Sequence, residues 1–133
     1  FAASLAAEGF DVLAESRGYT ASHQVLTRHG SKDSGAGAKA ARLLEDAGII
    51  TNMNMLPGDT KAMTPSGLRL GVQELTRVGM GLREMEEVAK LYARVLVQGE
   101  DPTMVTKDVA ALKADYQTIR YCFNEEEQTG YPF

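Results

Sequence analysis

Two stretches of the chain repeat apolar residues at intervals of three and four positions, which is the spacing of an amphipathic helix. They cover residues 38–47 and 82–96. The pattern is clearer in the second stretch, because charged side chains occupy the face opposite its apolar stripe. That stripe comprises Leu82, Met85, Val88, Ala89, Tyr92, Val95 and Leu96. Both stretches are predicted to be helices that pack one face against a core.

Three further helices are predicted from composition and from start signals. Residues 1–8 are rich in alanine, which has the highest helix propensity, and residues 73–77 allow one helical turn. Asp101 followed by Pro102 is a typical helix start, with the aspartate as N-cap and the proline in the first position. The helix that follows has an apolar stripe, which we interpret as core packing. It comprises Val105, Val109, Leu112, Tyr116 and Ile119.

Four short apolar runs between these helices predict β-strands. They cover residues 10–14, 23–28, 49–52 and 67–72, and a long polar loop separates the last two. Short connections favour antiparallel neighbours with helices packed on one face. The chain is therefore predicted to be of the α/β class in its α+β form, with a small antiparallel or mixed sheet of three to four strands. Residues 1–133 are expected to form one small domain, in which residues 101–133 are the terminal helix and tail.

Composition narrows the class of protein. The chain has 133 residues, 44% of them hydrophobic, and a formal net charge of −4. It has no basic run that would bind nucleic acid and no apolar run that would cross a membrane, so neither partner is expected. The single cysteine, Cys122, cannot form an intramolecular disulfide and favours a reducing, cytoplasmic location. Because the chain opens inside a helical pattern at Phe1, we expect a C-terminal piece of a longer protein.

The sequence contains glycines and histidines of the kind found in phosphate and metal sites, but they lack the spacing of those sites. The glycine-rich residues 30–37 precede a helix, but they match no phosphate-binding motif. We interpret them as a mobile surface turn in which Asp33 or Ser34 caps the helix. His23 and His29 do not have the spacing of a metal site. No catalytic residue, cofactor-binding residue or metal ligand is predicted within this chain.

Arg69 is the most informative charged residue, because it lies in the last apolar run between Leu68 and Leu70. Side chains alternate between the two faces of a strand, so the leucines share one face and the arginine points to the other. A guanidinium in such a place needs a partner, which is either an internal carboxylate or the carboxylate of a ligand. Asn52 and Asn54, on the loop that leads to this strand, add amide donors and acceptors. Together these residues form a candidate binding half-site.

Three segments around this half-site carry a family resemblance. They are G-I-I-T-N-M-N-M-L-P-G-D at residues 48–59, P-S-G-L-R-L-G-V-Q-E-L-T-R-V-G-M at residues 65–80 and E-M-E-E-V-A-K-L at residues 84–91. They closely resemble the C-terminal, small domain of serine (glycine) hydroxymethyltransferase. The upstream G-F-D-V-L and T-x-S-H-Q-V-L fit the start of that domain, so the resemblance extends from residue 1 to about residue 96.

The resemblance implies a fold-type I enzyme that depends on pyridoxal phosphate. Such an enzyme interconverts serine and glycine with one-carbon transfer to tetrahydrofolate or a modified pterin. By position, Arg69 is expected to bind the α-carboxylate of serine or glycine, and Asn54 is expected to contact the pterin ring. The lysine that binds the cofactor belongs to the large domain, so this chain alone is expected to be inactive. The parent enzyme is expected to be a homodimer or a dimer of dimers.

One loop departs from the family pattern and leaves the one-carbon acceptor open. The family has D-P-[RK]-S-P-F-V-T-S-G, whereas residues 59–67 are D-T-K-A-M-T-P-S-G, which is shorter by one residue and lacks S-P-F. One alternative is therefore a folate-independent aldolase or transaldolase of β-hydroxy amino acids with the same cofactor. A second alternative is a non-enzymatic amino-acid-binding module.

Overall fold

The computed structural model describes residues 1–120, in which five α-helices pack with a four-stranded sheet. The strands are β1 (Asp11–Val12), β2 (Gln24–Arg28), β3 (Asn52–Asn54) and β4 (Gly67–Gly71). The helices are α1 (Ala2–Ala7), α2 (Ala36–Asp46), α3 (Gln73–Arg77), α4 (Leu82–Leu96) and α5 (Pro102–Ala114). This is the α+β fold that the pattern of apolar residues predicts.

Neighbouring strands of the sheet are antiparallel and follow the order β1-β2-β4-β3. β4 is therefore a central strand, whereas β3 lies at an edge with β4 as its strand neighbour. In the register of these strands, Arg69 lies between Leu26 of β2 and Asn52 of β3. Side chains of directly paired residues project from the same face of a sheet. The register thus decides which side chains share a surface with Arg69.

The core lies on the other face, where helices cover the strands. Leu68 and Leu70 of β4 and Val25 of β2 belong to one buried cluster with Leu5 of α1 and Leu44 of α2. Burial of each such side chain stabilises the fold by roughly 1.5–3 kcal/mol. The hydrophobic effect therefore fixes the orientation of β4, because its two leucines must face the helices.

The predicted helix α4 has the predicted bounds, and most of its apolar stripe is buried. Leu82 is an exception at 85% exposure, because it is the first residue of the helix and lies beyond the packed turns. Tyr92 is buried, and its ring meets the ring of Phe1 edge to face at 5.8 Å between centroids. Burial raises the pKa of the Tyr92 hydroxyl, which therefore stays protonated.

Two predicted strands have different bounds in the structure. The run 49–52 predicted a strand, but β3 begins only at Asn52, and Ile50 is 79% exposed. Pairing with β4 decides these bounds, because the ladder opposite Arg69 starts at Asn52. The strand predicted at 10–14 is reduced to β1, since Ala14 adopts a left-handed backbone with φ of 63° that ends the extended run.

The last helix is shorter than its apolar stripe predicts. α5 begins with Asp101 as N-cap, as predicted, but it ends at Ala114, so Tyr116 and Ile119 follow the helix. Ile119 is buried nonetheless, because the chain turns back and the Arg120 amide donates to the Arg77 carbonyl at 2.8 Å. Cys122 and the predicted tail lie outside the described residues. Within residues 1–120 there is no helix with the length and apolar character needed to span a membrane.

Candidate functional site

The face of the sheet opposite the core, here called the outer face, carries the candidate site. Alternation along β4 places Arg69 on it together with the residues paired to Gly67, Arg69 and Gly71 on the neighbouring strands. The outer face comprises Asp11, Gln24, Leu26, Arg28, Asn52, Asn54 and Arg69. Most of these side chains are polar, and Arg28 forms an ion pair with Asp11 at 3.4 Å.

Arg69 projects from the centre of the outer face. Leu68 and Leu70 are 0% and 3% exposed, whereas Arg69 between them is exposed, as strand alternation predicts. Among residues 1–120, the Arg69 side chain has no hydrogen bond or ion pair. The alternative of an internal carboxylate partner is therefore wrong for the described part of the chain. A charged, planar fork with several N–H donors remains open to a ligand.

The two candidate asparagines lie on β3 rather than on the loop, which corrects the sequence prediction. Asn52 is directly opposite Arg69, is exposed, and shares its face. Asn54 is opposite Gly67 and is half-buried, and its Nδ2 donates to the Met55 carbonyl at 2.6 Å. The sheet thus places Arg69, Asn52 and Asn54 on one surface.

Two glycines let the chain pack closely at the start of β4. A Cβ on Gly67 would overlap the Leu56 side chain, and Leu56 is only 3% exposed. A Cβ on Gly37 of α2 would overlap the backbone carbonyl of Gly67. The loop between β3 and β4 and the first turn of α2 therefore both touch the start of the strand that carries Arg69.

The loop between β3 and β4 is closed by one carboxylate. Oδ2 of Asp59 accepts hydrogen bonds from the Leu56 amide at 2.9 Å, the Ser66 amide at 2.9 Å and the Ser66 hydroxyl at 2.8 Å. Leu56 lies near the beginning of the loop and Ser66 at its end, so Asp59 joins the two ends. Its second oxygen, Oδ1, accepts from the Asp33 amide at 2.8 Å.

Asp33, in the glycine-rich residues 30–37, in turn accepts hydrogen bonds from the loop that contains Asp59. Its carboxylate accepts from the amides of Thr60 at 2.7 Å and Lys61 at 2.9 Å and from the Thr60 hydroxyl at 2.8 Å. Amides of Gly35 and Gly37 also donate to carbonyls of the β3–β4 loop. These amides are therefore not available to a phosphate, because the predicted mobile surface turn is bonded to the β3–β4 loop.

Gly35 occupies the N-cap position of α2, and the Ser34 hydroxyl just before it accepts a hydrogen bond from the Ala36 amide, the first of the helix, at 3.3 Å. Of the two predicted capping residues, Ser34 thus contacts the start of α2, whereas the Asp33 carboxylate bonds to Thr60 and Lys61 instead.

Hydrogen bonding holds both carboxylates in the charged form. Backbone hydrogen bonds from Asp33, Leu56 and Ser66 lower the pKa of Asp59 far below its ordinary value. For Asp33, desolvation alone would raise the pKa, but the hydrogen bonds from Thr60 and Lys61 together outweigh it and lower the pKa. Both groups therefore accept hydrogen bonds as carboxylates at neutral pH.

His29 lies next to this connection, at the end of β2. Its Nε2 is 2.9 Å from the Thr27 hydroxyl, its amide donates to the Ser66 carbonyl at 2.9 Å, and its ring contacts Phe10 edge to face. Burial lowers the pKa of His29, and the charge of Asp11 opposes this only in part. His29 is therefore neutral at pH 7. Within residues 1–120, no three His, Cys, Asp or Glu side chains converge on a point where they could hold a metal ion.

Comparison with known proteins identifies the family. A sequence model described as serine hydroxymethyltransferase matches residues 1–92. The chain belongs to this family. Serine hydroxymethyltransferase of Thermococcus kodakarensis is 51% identical over 125 residues, which cover 92% of this chain and 29% of that protein. The enzyme of Thermoplasma acidophilum is 43% identical over 132 residues, which cover 98% of this chain and 30% of that protein.

The chain thus spans less than a third of the length of these serine hydroxymethyltransferases. Among solved structures, it is similar to L-threonine transaldolase from Pseudomonas fluorescens, with a TM-score of 0.75 and 29% sequence identity. The match covers 86% of this chain and 25% of the transaldolase. The expected family and the expected fold, an α+β domain of a fold-type I pyridoxal-phosphate enzyme, are confirmed. Family membership implies dependence on pyridoxal phosphate.

The reciprocal connection between Asp33 and Asp59 is the feature of the site that sequence reasoning missed. The two aspartates are 26 positions apart, and although Asp59 ends the family segment at residues 48–59, nothing in that segment indicates Asp33 as its partner. The P-G-D sequence at residues 57–59 does mark a turn in which an aspartate accepts local amide hydrogen bonds. That pattern could have predicted the bonds from Asp59 to its own loop, although not the bond to Asp33.

Proposed function

We propose that this chain is the small domain of a pyridoxal-phosphate-dependent serine hydroxymethyltransferase. Its parent enzyme would interconvert serine and glycine with one-carbon transfer to tetrahydrofolate or a modified pterin. Arg69 carries the proposal, because it is exposed at the centre of the outer face and has no partner among residues 1–120. Membership of the family supports the reaction class.

In this proposal, Arg69 binds the α-carboxylate of serine or glycine. A guanidinium can donate two parallel hydrogen bonds to a carboxylate, which fixes orientation as well as position. β4 is paired on both sides, so its backbone is a firm support for this contact. A carboxylate held in one orientation keeps the bond that reacts in the geometry that the reaction requires.

Asn54 is proposed to contact the ring of the pterin. One amide hydrogen is engaged by the Met55 carbonyl, so a second N–H and the carbonyl oxygen are available to a ligand within the described structure. A pterin ring presents both donors and acceptors, which matches this pair of groups. Asn54 lies on the same face as Arg69, so a single site can contain both the amino acid and the pterin.

The residues of the outer face fit a substrate rather than the cofactor. None of the lysines within residues 1–120 lies on a strand, so the described outer face offers no amine for the aldehyde of pyridoxal phosphate. We therefore assign the cofactor and its lysine to the remainder of the parent enzyme, where the cofactor would supply an electron sink. On this basis the chain alone is proposed to be inactive.

A folate-independent transaldolase or aldolase is the second candidate for the parent enzyme. The structural likeness to L-threonine transaldolase and the altered loop at residues 59–67 favour it. Both reactions start from an amino acid with a free carboxylate, so Arg69 does not distinguish them. Asn54 does, because only the first reaction needs a pterin.

Steady-state kinetics of the full-length parent enzyme test this proposal. Arg69→Lys should raise the serine KM by roughly ten- to a hundredfold, since charged hydrogen bonds contribute about 1.5–3 kcal/mol. The matched control, Arg42→Lys on the exposed side of α2, should leave the serine KM unchanged. An unchanged serine KM in Arg69→Lys would remove the carboxylate assignment.

Asn54→Ala separates the two candidate reactions. It should reduce the pterin-dependent conversion of serine by more than the pterin-independent cleavage of a β-hydroxy amino acid. Equal losses in both reactions would assign Asn54 a structural role. Absence of any pterin-dependent reaction in the unmodified enzyme would favour the transaldolase or aldolase.

Three further statements about the parent enzyme are proposals, the first from the family resemblance and the other two from composition. We propose a homodimer or a dimer of dimers, a cytoplasmic location, and no nucleic-acid or membrane partner. Sedimentation of the parent enzyme would test the first of these directly.

A further inference from the structure

We propose that Asp59 is a positioning residue of the site, whose carboxylate closes the β3–β4 loop and thereby fixes Asn54 relative to Arg69. This inference rests on the proposed function, because it assigns Asp59 a role in placing the two substrate-binding side chains. Asp59 itself does not lie on the outer face, and it is not proposed to touch a substrate.

The hydrogen bonds of Asp59 reach both strands of the site within a few residues. Leu56, whose amide donates to Oδ2, is two residues after Asn54 at the end of β3. Ser66, which donates its amide and hydroxyl to the same oxygen, immediately precedes β4 and is three residues before Arg69. One carboxylate oxygen therefore sets the distance between the end of one strand and the start of the other.

β3 needs such a connection because its own strand pairing is short. It has three residues, lies at the edge of the sheet, and pairs with β4 through three register positions. A shift of the ladder by one residue would move Asn52 and Asn54 to the other face. The bonds from Asp59 oppose such a shift, since they fix the chain directly beyond Asn54.

The connection extends to a second segment, which makes it rigid. Oδ1 of Asp59 accepts from the Asp33 amide, and the Asp33 carboxylate accepts from Thr60 and Lys61 in the same loop. The Ser66 carbonyl accepts from the His29 amide. The β3–β4 loop is thus bonded to the chain that follows β2 as well as to its own ends.

The chemistry of the contact requires an ionised carboxylate. Every group that faces the two oxygens of Asp59 is a donor: three backbone amides and one hydroxyl. In Asp59→Asn, one oxygen becomes an NH₂ group, which would face at least one N–H donor without an acceptor. Replacement of one oxygen by NH₂ therefore removes a hydrogen bond of Asp59 while leaving the volume of the side chain almost unchanged.

A double-mutant cycle in the full-length enzyme tests the inference. Asp59→Asn should raise the KM for tetrahydrofolate by about tenfold at a temperature where the protein is folded, and Asp46→Asn, the same change on an exposed part of α2, should not. Because Asp59 acts through Asn54, Asp59→Asn should have little further effect on this KM when Asn54 is already alanine. Additive effects would show an independent structural role and overturn the inference.

Hydrogen exchange gives a readout that does not depend on activity. In Asp59→Asn, the amides of residues 55–66 should exchange faster, while those of α4 should not change. Unchanged exchange in this loop would contradict the proposed closure. If Asp59→Asn fails to fold, the same measurements are made on Ser66→Ala. This variant removes one hydrogen bond to Asp59 without placing an NH₂ group against an N–H donor. A KM for tetrahydrofolate raised a few-fold would support the inference, and an unchanged KM for tetrahydrofolate would overturn it.

The two proposals fail in different ways. If Asn54→Ala reduces the pterin-dependent and the pterin-independent reactions equally, the pterin assignment fails and Asp59 has no bound group to position. If Asn54→Ala raises the KM for tetrahydrofolate but Asp59→Asn does not, only the role of Asp59 fails.

Discussion

Two arginines of this domain have opposite environments, and the difference separates a structural contact from a ligand-binding one. Arg94 of α4 is enclosed by carboxylates: its Nε and one terminal nitrogen donate to Glu100 at 2.7 Å each, and the other donates to Asp108 at 2.6 Å. Arg69 of β4 has no such partner among residues 1–120. Within residues 1–120, one guanidinium is therefore satisfied by internal carboxylates and the other is open.

The two environments explain what each arginine can do. Hydrogen bonds that Arg94 donates to Glu100 and Asp108 raise its pKa and connect α4 to the turn after it and to α5. A guanidinium that is already bonded to two carboxylates has little capacity for a third. Arg69 retains its donors on a surface where buried neighbours fix its direction, which is the arrangement that a carboxylate-binding site requires.

Alanine substitution of each arginine should give the largest difference in serine KM and in melting temperature. In the full-length enzyme, Arg69→Ala should raise the serine KM by ten- to a hundredfold or more and leave the melting temperature nearly unchanged. Arg94→Ala should lower the melting temperature, because Glu100 and Asp108 would then face each other without a cation, and leave the serine KM unchanged. Steady-state kinetics and thermal unfolding of both variants measure these effects. A raised serine KM in Arg94→Ala would contradict a purely structural role for Arg94.

A smaller effect should distinguish the two carboxylates around Arg94. Glu100→Gln removes the charge from a two-bond contact that is partly shielded, whereas Asp108→Asn affects one bond to a more exposed partner. Glu100→Gln should therefore lower the melting temperature by more than Asp108→Asn does. Thermal unfolding at low and at high salt would measure the difference, and equal shifts would show that the bidentate geometry contributes nothing.

The smallest expected effect is a pH dependence near the sheet. Folding lowers the pKa of His29 from its unfolded value of about 6.5, so the unfolded chain binds this proton more readily. The contribution of His29 to stability is therefore greatest above about pH 6.5 and declines as the pH falls below that value. Thermal unfolding of His29→Gln and of the unmodified enzyme should show a weaker decline in the variant. An identical decline would assign it to other groups.

The sequence predicted those features of the fold that depend on local periodicity. The stripe of α4 and the alternation of Leu68, Arg69 and Leu70 need only neighbouring residues, and both have the predicted orientation. The bounds of β3 could not be predicted in this way. Ile49 and Ile50 are the more apolar residues, but pairing with β4 places Asn52 and Asn54 in the strand.

Long-range contacts account for the other differences. Helical spacing predicts the buried position of Ile119, but the residue lies in a segment after α5 that is bonded to Arg77. The bonds between Asp33 and Asp59 join segments that only the finished fold brings together. The sequence thus indicates Arg69 and Asn54 as candidates. The hydrogen bonds of Asp59, which are proposed to fix the distance between them, are visible only in the structure.

Arg69 is proposed to recognise the carboxylate of the amino acid. Calorimetric binding of serine and of ethanolamine, which is serine without its carboxylate, isolates this contact in the full-length enzyme. In Arg69→Ala, serine should lose affinity by at least tenfold, while ethanolamine should bind as it does to the unmodified enzyme. Equal losses for both ligands, or no loss for serine, would contradict the assignment of Arg69.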